Sequence, residues 1–229
     1  MVKKWFSVEG NIGSGKSTFC KLFAEKYNNI DICLEPVNDW INLKDDSSNK
    51  NILQNFYDDP QRWSYTFQNY AAITRVNNLT KLTIKDIKIT ERSIYTDRNV
   101  FAKSLYETGQ MSSLEWKIYN EWYIWLENIL IEKMGKPSGF IYLRCLPEVS
   151  FKRLKIRSRN EESSVSLEYL EMLHKSHDDW LANKNNKKSF NSIVIDVNED
   201  FENNETARNY IFNQIDTFIN KDDKFSYEY

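Results

Sequence analysis

The stretch WFSVEGNIGSGKST, residues 5–18, constrains this chain more than any other. A short apolar run ends at Gly10, and Gly15-Lys16-Ser17 follows at the spacing G-x-x-x-x-G-K-[ST]. A strand that turns through such a loop into a helix surrounds phosphate oxygens with backbone N–H groups and the positive end of the helix dipole. Lys16 is then the cation for the β/γ-phosphates, and Ser17 the hydroxyl that ligates Mg²⁺. Gly10, Asn11, Ile12, Gly13, Ser14, Gly15, Lys16, Ser17 and Thr18 form the expected phosphate site. A unit of this kind belongs in a parallel sheet with helical crossovers.

The rest of the chain supplies that sheet. Apolar runs at Trp5–Val8, Ile30–Leu34, Ile87–Thr90, Phe140–Leu143 and Ile193–Ile195 alternate with long helical patterns. They predict an α/β, P-loop NTPase-type three-layer fold, with a five-stranded parallel sheet flanked by helices. At 229 residues the chain reads as one domain, 1–229. Lys44–Asn51 and Asn183–Ser189 read as polar loops, and the charged tail after Lys221 is expected to fray. A net charge of −2 gives no basic field for nucleic acid, and no apolar run reaches membrane-spanning length. Cys20, Cys33 and Cys145 form no CxxC pair, which points to buried thiols in a reducing compartment. MVKK leads directly into the first strand, so no signal or transit peptide is expected and the location reads as cytoplasmic.

A phosphate loop leaves the acceptor open: water, as in switches and motors, or a bound group, as in kinases. The acceptor has to sit beyond the other strand ends. Glu35-Pro36-Val37 and Trp40 follow the second strand; Glu91-Arg92-Ser93, Asp97 and Phe101 follow the third. Further on, Arg153 and Arg157 stand at i, i+4 and Arg159 follows. These arginines make either a surface helix paired to Glu161 and Glu162 or an arginine-rich lid, about 153–166, closing over the transferring phosphate. On the helical stretch WSYTFQNYAAITR, Gln68, Ala71 and Arg75 share one face, a solvated stripe or a reader of something bound. Trp63 and Tyr65 read as core. Residues 112–134 form a helix with two apolar lines, Leu114/Ile118/Trp122/Ile129 and Trp116/Tyr119/Tyr123/Leu126/Leu130, hence deeply buried or half of a subunit interface. His174 and His177, with Asp178 beside them, read as a surface pair rather than a metal site.

GNIGSGKST, EPVNDW, YDDPQRWSYTFQ, ERSIYTDRNVF, RSRNEE and DVNEDF stand in an order and spacing that resembles the deoxyribonucleoside kinase family. The likeness covers nearly the whole chain and is to the deoxycytidine/deoxyguanosine/deoxyadenosine kinase-like branch. It implies transfer of the γ-phosphoryl of ATP, with Mg²⁺, to the 5′-OH of a deoxynucleoside. In that reading Glu35 is the general base, Arg92 holds it, and Glu91 joins Ser17 at the Mg²⁺. Tyr57 and Glu162 bind the sugar 3′-OH, while Trp40, Phe67 and Phe101 flank the base. Gln68 reads the base edge, and Arg75 pairs with Asp97 deeper in the pocket. Arg153, Arg157 and Arg159 form the lid, and Asp200-Phe201 pack on the adenine of ATP. The thymidine-accepting branch carries apolar residues in place of Arg75 and Asp97, so deoxycytidine or a purine deoxynucleoside is implied here. The resemblance also implies a homodimer through the 112–134 helix. Two other readings stand beside it. One is a nucleoside monophosphate kinase, for which Arg62 would have to anchor the acceptor phosphate. The other is a P-loop switch; its guanine-reading NKxD pattern occurs only at Asn220–Asp223, in the charged tail and not behind a strand.

Overall fold

The computed structural model describes residues 2–183 and 190–221; the expected loop residues 184–189 and the tail beyond Lys221 lie outside the described residues. The chain runs β1 (Lys4–Glu9), α1 (Lys16–Lys26), β2 (Ile30–Cys33), α2 (Val37–Asn42), α3 (Ile52–Asp58), α4 (Pro60–Leu79) and β3 (Ile87–Glu91). Next come α5 (Ile94–Thr96), continuous through a π-helical turn (Asp97–Ala102) with α6 (Lys103–Glu107), then α7 (Ser113–Met134), β4 (Gly139–Arg144) and α8 (Pro147–Arg157). A 3₁₀ turn (Asn160–Glu162) precedes α9 (Leu167–His177), which passes through a second π-helical turn (Asp178–Ala182) towards β5 (Ser192–Asp196) and α10 (Glu205–Ile219). All five strands are parallel, in the order β2-β3-β1-β4-β5. Each expected strand forms, within a residue of its predicted bounds.

Alternation along the central strands explains the layers. On β4, Phe140 and Tyr142 join one core with Trp5, Tyr95, Leu170, Leu173 and Trp180. Ile141 and Leu143 join the opposite core with Phe6, Val8, Phe19, Phe23, Phe212 and Ile215. A strand buried on both faces reads as a continuous apolar run, because side chains two apart point the same way. A third cluster, with Trp40, Leu53, Phe56, Phe67, Ala71, Leu105 and Tyr119, packs α3, α4 and α7 beside the sheet.

Helix starts follow local chemistry. Asp59 caps α4 by accepting Arg62 N at 3.2 Å, with Pro60 in the first turn where its missing N–H costs nothing. The loop from Lys44 to Asn51 is closed by a bridge between those two residues, and Asn51 then caps α3. On α7, Tyr119 and Leu130 are buried, whereas Leu114, Ile118 and Trp122 are 66%, 39% and 49% exposed. The helix is therefore not deeply buried: one apolar line packs inward and the other faces outward. No helix among the described residues is long and apolar enough to cross a membrane.

The histidines correct the expectation of a surface pair. His177 is fully buried, with Nδ1 donating to Leu173 O at 2.7 Å and its ring stacked on Tyr142 at 5.6 Å. Burial pulls its pKa down to about 3, so it packs as a neutral ring. His174 lies beside the Arg144–Asp178 pair, with Nε2 at 3.1 Å from Arg144 and 3.3 Å from Asp178. The sequence pattern does not show this, because the ring that His177 packs on, Tyr142, belongs to β4.

Candidate active site

The carboxyl ends of β1, β2 and β3 open into one cavity of about 790 Å³. The phosphate loop forms one end of it. Gly13 and Gly15 have φ of 79° and 90°, a region that side chains rarely adopt. A Cβ at Gly13 would stand 2.5 Å from Ser150 O, and one at Gly15 would stand 2.9 Å from the Phe201 ring. The loop is thus pressed between α8 and the 198–203 segment. Ile12, Gly13, Gly15, Lys16, Ser17 and Thr18 line the cavity. Gly10, Asn11 and Ser14 lie beneath it, and Asn11 Nδ2 donates to Leu170 O at 2.8 Å, tying the loop to α9. Lys16 Nζ donates to Asn11 O at 2.6 Å. Burial and then Arg92 bring its ammonium down to about 7, against the pull of Glu91 and Glu35. Ser17 Oγ donates to Glu91 Oε1 at 2.6 Å. A hydroxyl and a carboxylate side by side at a phosphate loop are the hard oxygen donors that Mg²⁺ prefers, so these residues fit that ion.

Four charges meet where the second and third strands end. Arg92 Nη1 donates to both Glu35 oxygens, at 2.8 and 2.9 Å. Arg75 Nη2 donates to Glu35 Oε1 at 2.8 Å, and its Nε donates to Asp97 at 3.0 and 3.1 Å. Arg75, Arg92 and Asp97 are buried, and Glu35 nearly so. Burial pushes the Glu35 carboxyl up, but Arg92, Arg75 and Lys16 outweigh it and hold the group well below the usual carboxylate range. Burial lifts Asp97 to about 6, against the pull of Arg75. Arg92 holds φ at 60°, a strained conformation for a residue with a Cβ.

Beyond these charges the cavity turns aromatic. Trp40 meets Phe67 edge-on at 5.2 Å and donates Nε1 to Thr74 at 3.0 Å. Arg75 lies over the Trp40 ring at 5.1 Å, and Arg92 over Phe101 at 4.9 Å. Gln68 and Ala71 lie on the buried face of α4 with Arg75, and all three line the cavity. The Gln68 side-chain oxygen is buried and has no partner among the described residues. A buried acceptor left unpaired costs about 1–3 kcal/mol, so a bound donor would relieve it.

The arginines from residue 153 onward divide. Arg157 and Arg159 both bind Glu162, Arg159 at 3.0 Å. Arg153 instead donates to the carbonyls of Val197, Asn198 and Glu199, at 2.8, 3.1 and 2.9 Å. It therefore braces the 198–203 segment and, with Arg157 and Arg159, lines the same cavity as the phosphate loop. In that segment Asp200 accepts Glu202 N at 3.0 Å and Asn203 N at 3.2 Å, closing a turn that presents the buried Phe201 to Gly15. Tyr57 lines the cavity near Glu162.

The family model for Deoxynucleoside kinase matches residues 6–220. The chain belongs to the deoxynucleoside kinase family. It is 38% identical to the mitochondrial deoxyguanosine kinase of Xenopus laevis over 241 residues, covering 96% of this chain and 91% of that protein. It is 37% identical to deoxycytidine kinase 2 of Gallus gallus, over 93% of this chain and 89% of the relative. Homo sapiens deoxycytidine kinase is also 37% identical, over 86% and 85%. The chain is thus an ATP-dependent kinase of nucleotide salvage.

Sequence reasoning missed two features of this kinase. The bond from Arg75 to Glu35 joins the expected base reader to the expected general base, and no motif spacing encodes it. Tyr169, on α9, also lines the cavity; the pattern LEYLEMLH gave it no distinguishing sign. The buried pair makes a stability prediction. Arg75→Met leaves Asp97 buried and unpaired and should destabilise the fold by about 3–5 kcal/mol in urea titrations. Adding Asp97→Val should recover most of that loss. A single variant within about 1 kcal/mol of the parent would contradict the buried pairing.

Proposed function

We propose that this kinase transfers the γ-phosphoryl group of ATP to the 5′-OH of deoxycytidine or a purine deoxynucleoside, releasing the deoxynucleoside monophosphate. The observation that carries the reading is the continuous charge cluster, in which Arg75 joins Asp97 and Glu35 while Gln68 offers an unpaired oxygen beside it. An amide next to a guanidinium–carboxylate pair suits an edge with adjacent donors and acceptors. The buried charges would crowd the methyl group of thymine.

The 5′-OH docks at Glu35 and Arg92, with Tyr57 and Glu162 on the sugar. Two arginines keep Glu35 ionised, so it is ready to accept a proton at neutral pH but is a weak base. That suits a loose transition state, in which the attacking oxygen gives up its proton late. Lys16 and the N–H groups of the loop receive the charge that develops on the phosphoryl oxygens. Ser17 and Glu91 would hold Mg²⁺, which when bound neutralises phosphate charge. Arg157 and Arg159, now on Glu162, are placed to respond when a sugar hydroxyl takes that carboxylate, closing the lid over the reacting groups. Arg153 braces the segment beneath the ATP adenine, with Asp200-Phe201 as its platform. Arg62 is exposed and lies over the Trp63 ring at 4.6 Å, outside the cavity lining. It is poorly placed to anchor the phosphate of a monophosphate acceptor.

The test is a phosphoryl-transfer panel with ATP·Mg²⁺ and deoxycytidine, deoxyadenosine, deoxyguanosine, thymidine and one deoxynucleoside monophosphate, read as kcat/KM. One of the first three should lead; thymidine or the monophosphate leading would refute the reading. Glu35→Gln should lower kcat by about 10²–10⁴-fold with the deoxynucleoside KM little changed. Equal loss in both would remove Glu35 as the base.

The proposal extends to a homodimer in a reducing compartment such as the cytoplasm, where the thiols of Cys20, Cys33 and Cys145 stay unpaired. The outward line of α7 supports a two-fold contact. Sedimentation equilibrium should give a dimer, and Ile118→Glu with Trp122→Glu should give a folded monomer. A parent protein that sediments as a monomer at micromolar concentration would rule the dimer out.

A further inference from the structure

Glu9 ends β1 one position before the phosphate loop and has no part in the mechanism above. It is fully buried, on the strand face that also presents Trp5. Its carboxylate accepts Ser7 Oγ at 2.6 Å, Ser93 Oγ at 2.9 Å and Thr96 Oγ1. Burial raises its pKa, against these hydroxyls and Arg92. Ser93 and Thr96 belong to the turn that begins at Arg92. The residues on either side of Glu9 hold the same turn: Val8 O accepts Arg92 N at 2.9 Å, and Gly10 O accepts Arg92 Nη2 at 3.3 Å. Of the three consecutive residues, only Glu9 does so with its side chain. Arg92 also sits at a strained φ of 60°, a conformation that persists only where the surroundings over-determine it.

We propose that Glu9 is a positioning residue for phosphoryl transfer: it locks the Arg92–Thr96 turn to the mouth of the phosphate loop, so that Arg92 meets Glu35 and the acceptor hydroxyl in fixed register with the phosphoryl group. The inference rests on the roles proposed above for Arg92 and Glu35, and not on which base is bound. Arg92 contacts both the loop, through Gly10, and the acceptor side, through Glu35. A small displacement of a positioning group is enough to lose about two orders of magnitude in rate. A side chain that only filled the core would change stability and leave the turnover of folded enzyme intact.

The test measures kcat and both KM values for Glu9→Ala, Glu9→Gln and Ser93→Ala, below the melting temperature of each variant. Glu9→Ala should lower kcat on the order of 10- to 100-fold, with each KM within about three-fold of the parent. Glu9→Gln keeps an acceptor oxygen for Ser93 and should restore most of the loss. Ser93→Ala leaves the carboxylate two hydroxyls and should lower kcat several-fold, which decides the matter if Glu9→Ala does not fold. In an Arg92→Ala background, Glu9→Ala should add little, because the two residues act as one unit. Parental kcat in folded Glu9→Ala or Ser93→Ala overturns the proposal, as does a loss that is fully additive with Arg92→Ala. Arg92→Ala and Glu35→Gln measured alone separate the two readings: unchanged kcat in both would mean that the mechanism has failed, and not only the role of Glu9.

Discussion

Glu35 accepts hydrogen bonds from two buried guanidinium groups, and one of these, Arg75, is shared with Asp97. Two cations and two anions out of water are tolerable only if each finds its partner in good geometry, since the desolvation penalty for an uncompensated ion is several kcal/mol. That requirement reaches far into the fold. The ends of β2 and β3, the buried face of α4 and the turn after Ser93 must converge on one point. The third hydrophobic cluster, with Trp40, Phe56, Phe67 and Tyr119, provides the packing that presses α4 into place. Ala71 lies on the same buried face of α4 as Gln68 and Arg75 and leaves space in the cavity between them.

The phosphate side is built differently. It depends on close backbone approach: Gly13 against Ser150, Gly15 against Phe201, Asn11 bound to α9. Lys16 is the only charged residue of the loop, and burial weakens its hold on a proton. The two halves meet at Arg92, which bonds to Gly10 on one side and to Glu35 on the other. In the proposed mechanism this strained arginine would couple the positions of the donor and acceptor sites. Arg153 does similar work further out, clamping the 197–199 carbonyls beside the loop.

Much of this is legible in the sequence. The glycine spacing marks the phosphate loop, and short apolar runs between helical patterns locate all five strands; the central strands β1, β3 and β4 are buried on both faces, and the edge strands β2 and β5 only in part. Family likeness then placed Gln68, Arg75, Asp97 and Glu35 around one pocket. What escaped was set by contacts between elements far apart in sequence. The Arg75–Glu35 bond spans forty positions. His177 stacks on Tyr142, and Arg153 holds the 197–199 carbonyls. Glu9 stands out in the sequence as an acid ending an apolar strand, but two of its three hydroxyl partners, Ser93 and Thr96, lie more than eighty residues away.

In the proposed mechanism Glu35 is held ionised by its two arginines before any substrate arrives. The direct measurement is a ¹³C NMR titration of the labelled glutamate carboxyls in the free enzyme, with Glu35 assigned by its loss in Glu35→Gln. The Glu35 signal should stay at its ionised position as the pH falls through 4.5, the ordinary carboxyl value, and hold there until the protein unfolds. A midpoint near 4.5 would show that the arginines do not grip the carboxylate in solution, and would contradict Glu35 as the pre-ionised base.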